Sequence, residues 1–345
     1  ELASRVLPNP LMGITGTNGK TTTTELLAHI LRSAGRDAVA CGNQGTPLTG
    51  LVGQVDAAAW LVVECSSFQL EDVPTFRPRA AVLLNVTPDH LDRYDDLAAY
   101  AAAKRNLFAH QQPGDLAILP QGEASPGAAP ARCVVTSGVP GDDAVAWGQD
   151  GLHVSGLGRI AGWDEIPLRG THNRQNVMAA AAMAAHAGLT APAIAAGLAS
   201  FAGVPHRLEV VGMAGGVTYV NDSKATNPAA AIAALDAYPD RVILIAGGSS
   251  KGTPFDDLAE AARGVVDTAH LIGETAPQLA AALGDCGVTS VSHPNLQSAV
   301  SAASAGARSG DVVLLSPACA SFDQFRSYEH RGDVFRECAR ECGAR

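Results

Sequence analysis

Long apolar runs, aromatic rings and surplus basic charge are all scarce in this sequence. No stretch approaches the roughly 20 apolar residues that span a bilayer, so a transmembrane helix is excluded and no signal peptide is expected. Lys and Arg number 24 against 34 Asp and Glu, a net charge of -10, which excludes a broad basic face for nucleic acid. Cationic clusters are therefore expected to serve small anions. Seven cysteines, an odd number without paired metal spacing, exclude a disulfide or zinc framework and suit the reducing cytoplasm. Cys338 and Cys342 lie one helical turn apart and are expected to line a helix. Aromatics make up 5% of the chain, yet 47% of its 345 residues are hydrophobic, enough for two cores and hence two domains.

What is present is organised around Gly13-Ile14-Thr15-Gly16-Thr17-Asn18-Gly19-Lys20-Thr21-Thr22. It follows the short apolar run Leu11-Met12 and precedes a helical pattern with Leu26, Leu27, Ile30 and Leu31 on one face. Strand, glycine loop, helix is the order that cradles a nucleotide triphosphate. Backbone N–H groups close on phosphate oxygens, the helix N-terminus adds positive dipole, Lys20 reaches a terminal phosphate and the Thr21 hydroxyl can ligate Mg²⁺. Gly16 and Gly19 enclose only two residues, and Ile14 takes the place of the usual first glycine, so the loop is a short variant.

Further strand ends repeat the theme. Asp37 to Cys41 reads as a strand ending in Gly42-Asn43-Gln44-Gly45, and Trp60-Leu61-Val62-Val63 as a strand buried on both faces that stops at Glu64-Cys65-Ser66. Glu64 reads either as a Mg²⁺ ligand opposite the phosphate loop or as a solvated helix-start residue. Ala80 to Val86 leads to Thr87-Pro88-Asp89-His90, and the placement of His90 at a third such end favours function over a surface histidine. A helix is expected from Asp95 to His110, with Lys104 reading as a solvated helix lysine. Short antiparallel strands or a flap are expected over 121–165. Asn173 and Asn176, three apart at the start of an alanine-rich helix, could read a base edge or cap the helix.

Gly203-Val204-Pro205 reads as a hinge. Beyond it come the hairpin Leu208 to Val220, buried strands at Arg241–Ala246, His270–Gly273 and Asp311–Leu315, and helices at Pro254–Arg263 and Ala276–Leu283. The expectation is α/β with two parallel-sheet domains: a P-loop ATPase-like domain over 1–205 and a Rossmann-like domain over 206–345. Gly247-Gly248-Ser249-Ser250-Lys251-Gly252 lacks the Ser or Thr after Lys, so it suits a smaller anion such as a carboxylate.

The loop Gly16 to Thr22 resembles that of the Mur ligases and the related folylpolyglutamate synthetases, ATP-dependent enzymes that join a carboxylate to an amine. The stretches Asn221 to Asn227, Ser316 to Ser321 and Tyr328-Glu329-His330-Arg331-Gly332 resemble those of the D-glutamate-adding members. The resemblance implies that Gly16, Thr17, Asn18, Gly19, Lys20, Thr21 and Thr22 bind ATP. It implies two Mg²⁺ ions held through Thr21, Glu64, His90 and a carbamoylated Lys104, so the plain reading of Lys104 gives way to the family likeness. By the same likeness, Asn173 and Asn176 lie by the adenine, His206 and Arg207 beside the nucleotide, Asp222 on the ribose and Lys224 toward the phosphates. Thr226, Lys251, Ser321, Phe322 and Tyr328 fall at D-glutamate positions, and Asn43 and Ser66 along the path of the muramoyl substrate. Family members carry a uridine-binding domain ahead of the phosphate loop; the chain is expected to begin at the linker after it and to lack that UDP pocket.

The implied reaction sends the γ-phosphoryl of ATP to the carboxylate of UDP-MurNAc-L-Ala and lets D-glutamate attack the acyl phosphate, with ATP bound between the domains and a closing hinge excluding water. The expected setting is a cytoplasmic monomer acting on small molecules, with no nucleic-acid or membrane partner. Rival readings are a nucleotide-binding fragment with little ligase activity, another ligase of the superfamily, and a plain P-loop kinase or GTPase.

Overall fold

The computed structural model describes residues 1–89, 93–120, 132–137, 144–148, 151–168, 170–238, 241–250 and 252–345. They form two compact units, Glu1–Leu168 with His172–Ala202, and Arg169–Thr171 with Gly203–Arg345. Among the described residues no helix is long and apolar enough to cross a membrane.

In the first unit, β1 (Leu11–Thr15) runs through the glycine loop into α1 (Lys20–Ser33). The chain continues as β2 (Ala38–Gly42), β3 (Trp60–Glu64), α2 (Ser67–Leu70), β4 (Ala80–Leu83) and α3 (Leu97–Arg105). Strands β5 (Leu116–Pro120), β6 (Arg132–Ser137), β7 (Ala144–Gly148), β8 (Gly151–Val154) and β9 (Gly158–Ala161) precede α4 (Thr171–His186) and α5 (Ala191–Ala199). The sheet order is β2-β3-β1-β4-β5-β6-β7-β8-β9. β1 and β4 are buried throughout, because a parallel strand covered on both faces has no solvent side for a polar residue.

Two expectations need correction here. The helix foreseen from Asp95 to His110 begins at Leu97, where the Asp96 carboxylate accepts the Ala99 amide, and gives way after Arg105 to a 3₁₀ turn over Asn106–Phe108. In the stretch expected to be antiparallel or a flap, β6 pairs parallel to β5 and β7 parallel to β6; antiparallel pairing starts only between β7 and β8.

The second unit runs β10 (Glu209–Ala214), β11 (Val217–Asn221), α6 (Pro228–Asp236), β12 (Val242–Gly247), α7 (Asp256–Ala262), β13 (Val266–Ile272) and α8 (Ala276–Asp285). It closes with β14 (Ser290–Ser292), α9 (Leu296–Gly306), β15 (Val312–Leu315) and α10 (Tyr328–Glu341). Its sheet order is β10-β11-β15-β12-β13-β14, with only the β10–β11 hairpin antiparallel. Successive residues of β12 alternate between two cores: Val242, Leu244 and Ala246 pack with α6, α7 and α8, and Ile243 and Ile245 pack with α9 and α10. β13 starts at Val266, ahead of the expected His270, and β14 was not foreseen, since three residues of Ser-Val-Ser carry no apolar run. Cys338 lies on α10 and Cys342 at its C-cap.

α5 packs on α1 where Gly197 faces Ile30, and a Cβ at Gly197 would lie 2.9 Å from the Ile30 Cα. Gly197→Ala is expected to cost about 1–3 kcal/mol through overpacking. Thermal unfolding should show this as a drop of several degrees; an unchanged melt would show that the two helices are not in close contact.

Candidate functional site

The position of β1 between β3 and β4 builds the phosphate loop. Parallel register sets Ile14 beside Glu64 and Thr15 beside Leu83, so the loop after Thr15 emerges between the end of β3 and the segment after β4. Gly16 (φ 152°) and Gly19 (φ 89°) turn the chain, and Gly19 caps α1 without a side chain. α1 has no acidic residue in its first turn, so its amide groups and positive dipole are left for an anion. The Lys20 ammonium donates to the carbonyls of Gly16 and Thr17, both at 2.8 Å, which seats its charge inside the loop.

Asn85, a residue that sequence reasoning passed over, holds this loop in shape. Its Oδ1 accepts the Asn18 amide at 2.9 Å, its Nδ2 donates to the Asn18 carbonyl at 3.0 Å, and its backbone carbonyl accepts the Thr17 amide. Thr17 Oγ1 in turn donates to the Thr87 carbonyl at 3.1 Å. From α4, Asn176 Oδ1 accepts the Thr23 hydroxyl at 3.2 Å and its Nδ2 donates to Asn173 Oδ1 at 2.8 Å. Both asparagines are buried, and a Cβ on Gly19 would meet Asn176 Oδ1 at 2.2 Å.

Glu64 is 2% exposed at the tip of β3, where its carboxylate accepts the Thr21 hydroxyl at 2.8 Å and the Asn43 amide at 3.3 Å. Thr21, Glu64 and Asn43 thus converge, bringing a residue assigned to the muramoyl path against the pair expected at the phosphate loop. Gly42 is required before Asn43, since a Cβ there would lie 2.3 Å from the Glu64 carbonyl. Ser66 caps α2 by accepting the Gln69 amide, so its hydroxyl is engaged in local structure.

Lys104 is not the solvated lysine that its alanine-rich helix suggested. It is 1% exposed, donates to the Gly16 carbonyl at 3.0 Å, and lies 4.2 Å over the Tyr100 ring. Burial, reinforced by the Lys20 charge and opposed by Asp89, pushes its ammonium down to about 7. His90 and Lys251 lie outside the described residues. Among the described residues, no three His, Cys, Asp or Glu side chains converge as a metal cluster.

The second unit gathers its site residues on loops at the C-terminal ends of the adjacent strands β11, β15 and β12. Asp222 is buried, accepts the Ser316 hydroxyl at 2.8 Å and the Leu208 amide at 3.2 Å, and is pushed up to about 7 by burial, against the pull of Arg207. His206 sits in the left-handed region (φ 62°) and faces the Asn221 amide at 3.2 Å. Lys224 donates to the Tyr328 hydroxyl at 3.2 Å. Ser321 is 2% exposed, Thr226 is half-buried and the next-door Phe322 ring is 75% exposed. Arg331, named in the sequence only as part of a family-like stretch and given no role, is fully buried beneath these loops.

This pair of largely parallel sheets, one with a phosphate loop backed by an acidic strand end and the other with polar residues on the loops at its strand ends, fits a nucleotide-dependent ligase class. Residues 14–184 match the Mur ligase middle domain and residues 206–319 the Mur ligase, glutamate ligase domain, and the chain belongs to the Mur ligase family. More particularly, it is 41% identical over 98% of its length to UDP-N-acetylmuramoylalanine--D-glutamate ligase of Pelotomaculum thermopropionicum, covering 76% of that protein. It is also 45% identical over 99% of its length to the enzyme of the same name from Anaeromyxobacter dehalogenans, covering 78%. Among solved structures it resembles the MurF ligase of Thermotoga maritima in complex with ADP (TM-score 0.73, 18% identity, 99% of this chain and 83% of that one). The folylpolyglutamate synthase of Mycobacterium tuberculosis complexed with ADP and AMPPCP is similar as well (TM-score 0.70, 18% identity, 97% and 92%). These two likenesses show a shared fold.

Because the folded chain holds Lys104 below the ordinary lysine value of 10.5, the unfolded chain binds more protons between about pH 7 and 10.5, and stability rises with pH across that window. In CO₂-free buffer the melting temperature, compared with that of Lys104→Met, is expected to gain several degrees more from pH 7 to 9.5. Parallel pH profiles for the two proteins would show that Lys104 is an ordinary ammonium.

Proposed function

We propose that this chain is an ATP-dependent ligase that joins the amine of D-glutamate to the carboxylate of UDP-N-acetylmuramoyl-L-alanine in peptidoglycan precursor synthesis. One observation carries the reading furthest: a buried lysine, Lys104, held on the backbone of a triphosphate loop whose Thr21 hydroxyl is bonded to a strand-end carboxylate, Glu64. A plain kinase or GTPase would leave the polar strand-end loops of the second unit without a role.

A carboxylate is a poor electrophile and needs activation. Its oxygen attacks the γ-phosphorus of ATP, ADP leaves, the D-glutamate amine adds to the acyl carbon, and phosphate departs as the amide forms. The loop amides and Lys20 carry the negative charge of the transferred group, since phosphoryl transfer depends on positioning and electrostatics. The oxygen pair of Thr21 and Glu64 fits Mg²⁺, a hard cation that takes oxygen ligands. Bound there, Mg²⁺ supplies charge neutralisation for the phosphates. A second Mg²⁺ would be held by His90 and a carbamoylated Lys104. The lysine fits that modification because burial pushes it down to about 7, so part of it is neutral near neutral pH and that nitrogen can add to CO₂, forming an N–C bond and releasing one proton to leave a carboxylate. Asn173 and Asn176 are read as adenine-side residues, and Asp222, Arg207 and Lys224 as ribose and phosphate partners. Thr226, Lys251, Ser321, Phe322 and Tyr328 hold D-glutamate, and Asn43 and Ser66 lie along the muramoyl path.

The test is phosphate release from Mg-ATP with UDP-N-acetylmuramoyl-L-alanine present. D-Glutamate should stimulate release where L-glutamate does not, and Lys20→Ala should lose about 10²-fold or more of it. Release that is indifferent to D-glutamate would leave a nucleotide hydrolase and end the ligase reading. Separately, ¹³C-bicarbonate should give a carbamate NMR signal in the wild-type chain that Lys104→Ala lacks. A wild-type spectrum without that signal at saturating bicarbonate would remove the modification.

A further inference from the structure

Helix α10 carries a guanidinium that the reaction scheme leaves without a role. Arg331 is 0% exposed, and its hydrogen-bond partners are neutral: Nε donates to Ser223 Oγ at 3.0 Å, one terminal nitrogen to the carbonyls of Ser223 (2.8 Å) and Cys319 (3.1 Å), and the other to the Ala320 carbonyl at 3.3 Å. Among the described residues no carboxylate lies within ion-pair distance of it; Asp323 and Asp222 act on it only from farther away. A buried charge without a counter-ion is costly, so it persists where its bonds do something an apolar residue cannot. These bonds tie together two loops that are remote in sequence, one after β11 and one after β15.

The second loop is under strain. Ala318, next to the carbonyls that Arg331 grips, sits at φ 60°, a left-handed conformation that a side chain disfavours and that the surroundings must enforce. The end of β12 presses on the same place. A Cβ on Gly248 would lie 2.1 Å from the Ala320 carbonyl, which also accepts the Ser249 amide at 2.9 Å. Ser321 follows directly on one loop, and Lys224 and Thr226 follow Ser223 on the other. Ser223 Oγ passes the link on by donating to the Tyr328 carbonyl at 2.8 Å.

We propose that Arg331 and the left-handed Ala318 act as a latch that sets the separation of the 223–226 and 318–321 loops, and thereby the affinity of the amino-acid site. In this role Arg331 is a positioning residue, acting through Ser321 and Thr226 on the two carboxylates of the amino acid. The inference rests on the D-glutamate reading above.

Two variants separate positioning from simple stability. Ala318→Gly releases backbone strain, so it should melt at or above the wild-type temperature. Its loop is freed nonetheless: D-glutamate affinity, measured by equilibrium dialysis of the radiolabelled amino acid, should fall about fivefold or more, and the Ser249 amide should exchange with deuterium faster. Arg331→Lys keeps the charge but gives up the planar fork, and should weaken D-glutamate binding about tenfold or more. Binding within about twofold of wild type in Ala318→Gly, with unchanged Ser249 exchange, overturns the latch, and that variant decides alone if Arg331→Lys does not fold. A wild-type chain that retains no D-glutamate would instead overturn the amino-acid reading. The exchange measurement needs no ligand and then judges the latch by itself.

Discussion

The first unit depends on the pairing of β1 with β3 on one side and β4 on the other. Strand pairing in register places Ile14 opposite Glu64 and Thr15 opposite Leu83. Everything chemical at this edge follows from that placement. The loop leaving Thr15 has an acidic strand end on one side and Asn85 on the other, and Lys104 of α3 fits under its first carbonyl. Slipping the register of β3 by one residue would turn Glu64 to the opposite face of the sheet and remove the Thr21 contact.

Both units also keep a cation beneath backbone carbonyls, with opposite chemical outcomes. Burial pushes Lys104 down to about 7, so its ammonium can give up its proton near neutral pH. Arg331 is lowered by burial only to about 10 and stays charged, so its environment must supply hydrogen bonds. One buried cation can therefore lose its charge near neutral pH, and the other keeps it.

Most of the architecture was legible because strands covered on both faces read as apolar runs: Trp60 to Val63, Ala80 to Val86, Arg241 to Ala246 and Asp311 to Leu315 each hold a strand, over Trp60–Glu64, Ala80–Leu83, Val242–Gly247 and Val312–Leu315. The polar clusters after them were legible too, since parallel strands send their C-terminal ends to one edge. What failed to show were long-range ties. Lys104 bonds a carbonyl 88 positions away, and flanking alanines give a helix no periodic clue to its inward face. Arg331 was visible only as one residue of the family-like stretch Tyr328 to Gly332, with no role attached to it, and its partner Ser223 lies 108 positions back. Asn85 looked like the end of a strand, and nothing in its neighbours announced that it would mirror Asn18.

The small space at Gly19 bears on how portable such loops are. The glycine is dictated by an amide from Asn176, more than 150 residues further along, which fills the place a Cβ would take. Residues 13–22 are therefore only the visible half of a two-part module. Transplanted onto another strand and helix without Asn85 and Asn176, the same ten residues would keep their signature and lose the walls that give it shape.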